Sequence, residues 1–458
     1  MTETEDRTHP QRRANAAAVL DRAWDCAAFT ASDVIAATGL TRSTVIALCD
    51  ELVDRGWLAE LPNARAAGSE YRKGRPARRY ELRADAGTVL GVDAGQHCIT
   101  ATAADLRGRE LARAHRDVDP DGDDPAARLA VADATIAEAL ERAGALPESV
   151  LCITVGVPAP TDLDGASPEG ERRFWARMNP GYAAHFRGRG WRTEVENDAN
   201  LAALAEGAHG AGAGASSYIA LVSGERFGAG YVVDGHLVRG RSGAAGELRL
   251  LTLVEGVGST HGIGNLLRRW ALEARAAGTA DSGSPIMTAP AESLGAELVL
   301  AAAAAGDPAA LGLAERMAER LARICAVLGG LLDVERIVLA GAVAASLDPV
   351  LKRAAERLGE LAHPPGPELV ASTLGGGVVS LGAVARALEV VRSDALDLEP
   401  LRPLGPGLRI RTVGIRPVRP LAALSGPPNT TPVLGGPSAL RANERTRIPP
   451  RPDPQARP

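Results

Sequence analysis

The repeated order of predicted elements constrains the fold more than any other feature of this sequence. In each of two regions, short apolar strands precede a long helix and a buried strand follows it. The first region has strands at 89–93, 98–104, 110–115 and 150–155 and a helix at 125–143. The second has strands at 218–222, 230–233 and 336–339, a helix at 308–332 and further helices to about residue 391. Because strands alternate with helices, we expect an α/β fold of two related halves with a cleft between them.

A helical segment precedes these halves. Three helices are expected at 14–24, 31–38 and 41–56, and two strands at 57–61 and 79–82. Gly39 interrupts the apolar pattern between the second and third helices, as a turn residue does. This is the outline of a winged helix-turn-helix, which we predict at residues 14–84 after a disordered lead at 1–13.

The first turn of the third helix has residue types that bind DNA. In a helix-turn-helix the second helix of the motif enters the major groove, and its first turn meets base edges and phosphates. That turn consists here of Thr41, Arg42, Ser43 and Thr44. Arginine binds guanine or phosphate, and short hydroxyl side chains bind phosphate. Helix capping explains only one of these four residues. We therefore predict that the turn contacts DNA.

The loop between the two predicted strands is basic. Residues 65–83 hold seven basic residues against two acidic ones. Lys73, Gly74, Arg75 and Pro76 form a slim, extended element, and an arginine presented in this way can enter a narrow minor groove. A solvated linker between domains is the alternative. We predict that these four residues bind DNA.

Composition excludes several other classes. The net charge of −5 rules out a uniformly basic nucleic-acid binder. The five cysteines are scattered without a C-x-x-C pair, so neither a disulfide framework nor a zinc knuckle is predicted. No apolar run approaches the roughly 18 residues of a membrane span, and the charged N-terminus lacks a signal-peptide core. A cytoplasmic protein is expected.

The end of the sequence differs in character from the rest. The last 58 residues contain 13 prolines, and ten arginines against two acidic residues. We predict a disordered tail at 397–458. Such a tail can contact nucleic acid or another protein, although a solvated tail is the favoured interpretation.

A polar motif joins a predicted strand at 193–196 to an Ala-rich helix. It reads Glu196-Asn197-Asp198-Ala199-Asn200. Asp198 can cap the helix there. It can also accept a proton from a sugar hydroxyl as general base, or bind that hydroxyl without reacting. The phosphate loops elsewhere in the sequence decide between these roles.

Four motifs, taken in order, resemble the ROK family, which groups sugar-responsive repressors with sugar kinases. They are Gly91–Gly95 as the first phosphate loop, Glu196–Asn200 as the sugar and catalytic motif, Ser242–Glu247 as a second sugar motif and Val338–Ala344 as a Gly-rich nucleotide-side segment. The resemblance covers about Ala14 to Val391. It implies an actin-like, ribonuclease-H-like duplicated sugar kinase fold after a winged helix. The sensor domain would span 85–396, with lobes at about 85–195 and 196–380 and a last helix that returns to the first lobe.

Departures from the family pattern bear on catalysis. The family's kinases hold ATP with a Gly-Gly-Thr-Lys type turn and a Gly-Thr-Gly-Ile-Gly loop. The corresponding stretches here are Gly95–Cys98, with Gln96 and His97, and Gly224–Gly228, with Glu225 and Arg226. Phosphate cradles need backbone N–H groups that glycine exposes, and Glu225 repels a triphosphate, although Arg226 could bind an anion. Phosphoryl transfer depends on positioning and charge stabilisation, so we predict no enzyme and only a vestigial base at Asp198.

The family's structural zinc site is also missing from the sequence. It consists of a histidine and a C-x-C-G-x-x-G-C cluster. Leu250 stands where that histidine should follow Glu247, and Val254–His261 contains no cysteine. Zinc needs three or four such ligands, so no metal is predicted. In the family the histidine also helps to bind sugar, which leaves the identity of the sugar open.

These observations predict a DNA-binding transcriptional regulator, a repressor, whose actin-like domain binds a sugar or related metabolite. Asn197, Asp198 and Glu247 are expected to hold ligand hydroxyls. The expected partners are an operator in double-stranded DNA, a sugar effector and further copies of the chain, as a homodimer or dimer of dimers, with no cofactor and no membrane. Two alternatives are a sugar kinase with an added winged helix and a constitutive regulator whose sensor domain only dimerises.

Overall fold

The computed structural model describes residues 3–62, 77–122, 124–168 and 174–401. The N-terminal unit contains the helices α1 (Glu3–Asp25), α2 (Ala31–Thr38) and α3 (Arg42–Asp54) and the strands β1 (Phe29–Thr30), β2 (Leu58–Leu61) and β3 (Arg79–Leu82). The strands form an antiparallel sheet in the order β1-β3-β2. β1 is not evident from the sequence, because two residues are too few to show a strand pattern.

Side-chain hydrogen bonds fix the starts of α2 and α3, and a glycine ends α2. Thr30 and Asp33 form a capping box at the start of α2. Gly39 ends α2 with a φ of 71°, a left-handed conformation that favours glycine. Thr41 caps α3 by accepting a hydrogen bond from the Thr44 amide at 3.3 Å. The connection between the two helices is therefore confined to residues 39–41.

Helix α1 is longer than the sequence pattern indicates. It begins at Glu3, so the predicted disordered lead at 1–13 is wrong from residue 3 onward. The apolar pattern follows only the buried part of the helix, from Ala16 to Trp24. Before that part, Arg12 pairs with Glu51 of α3 at 2.5 Å. Such polar contacts leave no hydrophobic period in the sequence.

The first lobe contains a five-stranded sheet in the order β6-β5-β4-β7-β8. Its strands are β4 (Thr88–Ala94), β5 (Cys98–Asp105), β6 (Glu110–Asp117), β7 (Val150–Val157) and β8 (Arg192–Asn197), and its helices are α4 (Pro125–Ala143), α5 (Phe174–Met178) and α6 (Tyr182–Arg187). β4, β5 and β6 are antiparallel neighbours, whereas β4, β7 and β8 are parallel. Every residue of β7 is buried, as its continuous apolar run predicts.

The second lobe contains a five-stranded sheet in the order β11-β10-β9-β12-β13. Its strands are β9 (Tyr218–Ser223), β10 (Phe227–Val233), β11 (His236–Val238), β12 (Arg336–Ala340) and β13 (Glu368–Ala371). The helices of this part of the chain are α7 (Asp198–His209), α8 (Ile263–Ala277), α9 (Pro285–Thr288), α10 (Ala296–Ala304), α11 (Pro308–Leu332) and α12 (Asp348–Leu361). Three antiparallel strands and two parallel additions repeat the plan of the first sheet. The predicted α/β fold with two related halves is confirmed, and both sheets are mixed.

The N-terminal unit and the first lobe share one hydrophobic core. This core includes Trp57 and Tyr80 of the N-terminal unit and Val89 and Leu151 of the first sheet. Helix α13 (Val378–Asp394) follows the second sheet in the chain and packs against β4 and β7. Its residue Val391 completes the shared core. The two parts are therefore packed together and not merely tethered by a linker.

Arginines reinforce this junction. Arg107 of the first lobe donates hydrogen bonds to the carbonyl oxygens of Trp24 and Cys26, both at 2.9 Å. Arg392 of α13 pairs with Asp21 and Asp25 of α1 at 2.8 and 2.9 Å. Hydrogen bonds to charged groups stabilise a junction more than neutral ones.

The segment after α13 belongs to the same junction. Arg55 donates to the Leu396 carbonyl and Arg83 to the Leu401 carbonyl, each at 2.8 Å. The Leu401 amide donates to the Ala86 carbonyl at 2.7 Å. The predicted disordered tail is therefore wrong at 397–401, where backbone bonds order a sequence without hydrophobic period. The rest of that prediction, at 402–458, lies outside the described residues.

Over the described ranges, no single helix is long and apolar enough to cross a membrane. The pair α10 and α11, bent by 110°, meets the criterion together, by length and composition only.

Candidate functional site

The ends of several elements converge in one cleft. Asp93 lies near the end of β4, Asp198 opens α7 and Glu247 follows β11. Both Asp93 and Glu247 act electrostatically on Asp198. The start of β10 lies beside them, since a Cβ at Gly228 would be 4.0 Å from Asp198 Oδ1. Two of the three predicted ligand-binding residues, Asp198 and Glu247, are thus brought together.

Asn197, the third, caps helix α7. Its Oδ1 accepts hydrogen bonds from the amides of Ala199 at 3.0 Å and Asn200 at 3.3 Å. Its Nδ2 donates to the Ala159 carbonyl at 3.2 Å, and the residue is buried. The cap is therefore Asn197 and not Asp198, and most of the hydrogen-bonding capacity of Asn197 is used within the protein.

Asp198 has an unusual electrostatic environment. The pKa of Asp198 is raised to about 7: burial and the negative charges of Asp93 and Glu247 raise it, and the amide of Ala199, which donates at 2.7 Å, partly offsets this increase. Part of the Asp198 residue is exposed to solvent, whereas its carboxyl group is surrounded by protein atoms. A carboxyl group with a pKa near neutrality can accept a proton or donate a hydrogen bond at physiological pH.

Glu247 is placed by a tight backbone approach. Gly246 has a φ of 94°, and a Cβ there would lie 1.8 Å from the Ala229 carbonyl oxygen of β10. Only glycine fits this position. Glu247 is exposed as a residue, yet partial loss of hydration against the surrounding protein raises its pKa. The positive charge of Arg226 lowers it. Arg226 therefore faces the cleft from the second loop.

An ion pair across the cleft was not predicted from the sequence. Glu196 Oε2 of the first sheet accepts a hydrogen bond from Arg239 Nε, after β11 in the second lobe, at 2.6 Å. Its Oε1 accepts from Asn200 Nδ2 at 2.8 Å and from the Asn197 amide at 3.0 Å. Glu196 is only 6% exposed, so this buried carboxylate needs these donors. Nothing in the spacing of residues 196 and 239 indicates the pairing.

The first phosphate loop is held by a second unpredicted arginine. Arg128 of α4, which is buried, donates from Nη2 to the carbonyls of Ala94 at 2.7 Å and Gly95 at 2.6 Å. The pKa of Asp93 is raised to about 6, because burial raises it more than the charge of Arg128 lowers it. Both carbonyl oxygens are directed to Arg128, so the chain itself fixes the shape of this turn.

The two altered phosphate loops contact each other. His97 Nε2 of the first loop lies 3.4 Å from Glu225 Oε1 of the second, and both side chains are about half exposed. Asn265 also donates to Glu225 Oε2, at 2.8 Å. The side chains that replace the family's small residues therefore meet each other between the two lobes.

We expect the His97–Glu225 pair to stabilise the protein weakly and in a pH-dependent manner. It is an ion pair only when the imidazole is protonated, and solvent screens half-exposed charges. A double-mutant cycle with His97→Gln and Glu225→Gln, read by chemical unfolding, should give a coupling free energy below about 1 kcal/mol at pH 5.5 and a smaller value at pH 8. Equal coupling at both pH values would contradict an ionic contact.

The predicted DNA-binding residues fall into three groups. Arg42 and Ser43 are exposed at the first turn of α3. The hydroxyl of Thr41 caps the helix and lies 2.9 Å from the Thr44 hydroxyl and 3.1 Å from the Ser43 hydroxyl, so these three hydroxyl groups are engaged within the turn. Lys73, Gly74, Arg75 and Pro76 lie outside the described residues.

Two arginines counted in the basic loop bind protein groups instead. Arg78 pairs with Asp50 at 2.7 Å and Glu60 at 2.6 Å. Arg83 donates to the Gly56 carbonyl at 2.9 Å as well as to Leu401. The local positive charge is therefore smaller than the sequence count indicates.

The described part of the chain contains no group of three or more His, Cys, Asp or Glu residues placed to hold a metal ion.

Comparison with known proteins identifies the family. The profile of the ROK family matches residues 89–388. The chain belongs to the ROK family. One relative of this ROK protein is a glucokinase from Halalkalibacterium halodurans, 31% identical over 245 residues that cover 46% of this chain and 73% of the relative. Another is a xylose repressor from Caldicellulosiruptor bescii, 26% identical over 215 residues that cover 47% of this chain and 52% of the relative.

Solved structures share the fold. A ROK family glucokinase from Streptomyces griseus, in complex with glucose and AMPPNP, aligns with a TM-score of 0.55 and 25% identity over 66% of this chain and 100% of that one. A ROK family transcriptional regulator, a homologue of the E. coli MLC protein, aligns with a TM-score of 0.61 and 21% identity over 80% of this chain and 94% of that one. The resemblance to the ROK family and the sugar kinase fold are confirmed. ROK relatives include both kinases and repressors, so the site must decide between them.

Proposed function

We propose that this ROK protein is a DNA-binding transcriptional regulator, a repressor, that senses a sugar or sugar derivative in the cleft of a non-catalytic kinase fold. The observation that carries the proposal is the N-terminal unit. It lies before residue 89, where the family match begins, and presents Arg42 and Ser43 at the exposed start of α3.

The geometry of this unit supports DNA binding as a winged helix-turn-helix. Helices α2 and α3 are joined by the short turn at Gly39, and β2 and β3 form a hairpin that brackets residues 63–76. Arg42 makes no hydrogen bond or ion pair with any described residue, so its guanidinium is available to a base edge or a phosphate. We propose that Ser43 and the loop residues Lys73–Pro76 add phosphate and minor-groove contacts.

The altered loops support a sensor over a kinase. A nucleotide triphosphate would meet Glu225, the His97 side chain that reaches it, and a first turn fixed by Arg128. Asp198 and Glu247 remain beside one another and can bind sugar hydroxyls. Asn197 would act mainly by holding α7 in place, with its remaining N–H available to a ligand.

The shared core indicates how a ligand could act on DNA binding. Since the N-terminal unit packs into the first lobe through Trp57, Leu151 and Val391, the two should move together. A ligand that favours one arrangement of the lobes would then alter the spacing of two N-terminal units in a dimer. Dimers that read palindromic half-sites depend on this spacing.

DNase footprinting tests the proposal. The full-length protein is incubated with the DNA upstream of its own coding region at moderate salt, with and without members of a hexose and pentose panel. We expect a protected palindromic site that at least one sugar releases. Absence of protection on this fragment and on a genomic fragment library would refute DNA binding, whereas protection that no sugar affects would support the constitutive alternative.

One observation favours sugar phosphorylation as a second candidate function. The pKa of Asp198, raised to about 7, suits a general base. A coupled assay with ATP and a hexose panel tests it. Turnover that Asp198→Asn abolishes would establish the kinase. Absence of turnover, together with thermal stabilisation by a sugar, would support a sensor without catalysis.

A further inference from the structure

Arg320 of α11 lies against segment 254–262, where the family resemblance places a zinc cluster. The side chain is buried, with 3% of the residue exposed. Its Nε donates to the Val257 carbonyl at 3.0 Å, and its Nη2 donates to the Ser259 carbonyl. Its guanidinium also lies 5.3 Å from the ring centroid of Phe227, the first residue of β10. One buried side chain thus joins α11, segment 254–262 and the second loop.

Two further arginines lie on the same face of α11. Arg316 lies 4.0 Å from the ring centroid of Trp270 in α8. Arg323 donates to the Glu255 carbonyl at 3.3 Å and pairs with Glu319 at 2.9 Å. Positions 316, 320 and 323 are spaced by four and three residues, so they share one helical face. Arg320 and Arg323 contact segment 254–262, and Arg316 continues the row toward α8.

Segment 254–262 in turn supports the second loop of the cleft. The Phe227 amide donates to the Thr260 carbonyl at 2.8 Å, and the Gly262 amide donates to the Glu225 carbonyl at 2.9 Å. Arg226 and His261 form an isolated antiparallel bridge. The positions of Glu225 and Arg226 in the cleft therefore depend on the order of this segment.

The chemistry of arginine suits this task. A guanidinium offers five N–H donors in a fixed plane and can bind several carbonyl oxygens at once, whereas zinc requires thiolate, imidazole or carboxylate ligands. Burial lowers the pKa of Arg320 to about 10, which leaves it charged at neutral pH. Its charge is partly compensated by two carbonyl oxygens and the face of Phe227, while Nη1 is buried without a hydrogen-bond partner among the described residues.

We propose that Arg320, flanked by Arg316 and Arg323, replaces a structural metal centre in this chain and positions the second loop of the cleft. Arg320 is a positioning residue, since it reaches the cleft only through segment 254–262 and Phe227. The proposal is independent of DNA binding, because it concerns only the second lobe.

Hydrogen exchange of the full-length protein tests this role. In Arg320→Met, amides at 224–228 and 257–262 should exchange at least tenfold faster than in the unchanged protein, while those of β7 keep their rates. Arg320→Lys, which retains a donor, should recover part of the protection. Arg353→Met is the matched control, because Arg353 is 61% exposed on α12. The coupling between His97 and Glu225 should also be lost in Arg320→Met, which a general loss of stability would not cause.

Several outcomes would overturn the proposal. Unchanged exchange at 224–228 in Arg320→Met would show that the loop does not depend on this residue. Stoichiometric zinc by mass spectrometry, with the same acceleration of exchange after chelation, would assign the role to a metal. If Arg320→Met does not fold, Arg323→Met provides the test, since it should accelerate exchange at 255–257 and leave β7 unchanged.

Discussion

Replacing Arg42 with alanine is expected to weaken operator binding strongly at physiological salt while the protein remains folded. Arg42 is exposed at the first turn of α3 and is unpaired among the described residues. Loss of an arginine that reads a base or grips a phosphate weakens binding by about 1–3 kcal/mol, or roughly 5- to 150-fold per site. In a dimer the loss occurs twice. Fluorescence anisotropy with the footprinted fragment measures it.

The salt dependence of Arg42→Ala distinguishes two contacts. If Arg42 binds a phosphate, the slope of log affinity against log salt should fall by about one per half-site, and discrimination between sequences should persist. If it reads a base, discrimination should fall at one position. Arg353→Ala, at an exposed position of α12, is the control and should bind normally. Unchanged affinity in Arg42→Ala would exclude the first turn of α3 from the interface.

Most of the fold follows from local patterns. Helices at 31–38, 125–143 and 308–332 were predictable because caps and hydrophobic period agree, as Thr30, Asp124 and Asp307 show. The first turns of α1 and the ordered segment 397–401 were not predictable, because polar and backbone contacts to distant residues hold them. A hydrophobic period in the sequence reflects the burial of apolar side chains. Among the described side chains, the first turns of α1 and segment 397–401 bury few apolar ones, so they show little of this period.

The candidate site likewise contains residues that the sequence indicates and residues that it does not. Its acidic residues stand in motifs that the sequence displays, and the structure brings Asp93, Asp198 and Glu247 together. Its arginines come from elsewhere in the chain. Arg239 and Arg128 bind groups 43 and 33 residues away, and no motif marks them. The sequence therefore indicated the carboxylates of the cleft but not the arginines that bind Glu196 and the first phosphate loop.

Side-chain pairs connect the two lobes of the cleft directly. His97 pairs with Glu225, and Arg239 pairs with Glu196. The remaining acidic cluster has no described arginine in direct contact with Asp198, and its charges repel one another. The cleft should therefore destabilise the ligand-free protein.

Asp198→Asn is accordingly expected to stabilise the ligand-free protein at pH 8. The folded-state pKa of Asp198 is raised from 3.8 to about 7, so the folded protein holds a proton that the unfolded chain releases above about pH 4. The protonated Asp198 side chain contributes this stability fully below about pH 4. The contribution is lost as the pH rises from about 4 through 7. The shift corresponds to at most about 4 kcal/mol at 1.36 kcal/mol per pKa unit. Asparagine resembles the protonated acid and does not ionise, so the variant should retain this stability.

Chemical unfolding between pH 4 and pH 8 measures the difference. The free energies of unfolding of the unchanged protein and Asp198→Asn should nearly coincide at pH 4 and differ by about 2–4 kcal/mol at pH 8. Asp281→Asn, at an exposed position, is the control and should match the unchanged protein at every pH. A variant less stable than the unchanged protein at pH 8 would mean that the Asp198 carboxylate is stabilised in the empty cleft. A sugar that binds the carboxylate should narrow the separation at pH 8, because it stabilises the ionised form only in the protein that has one.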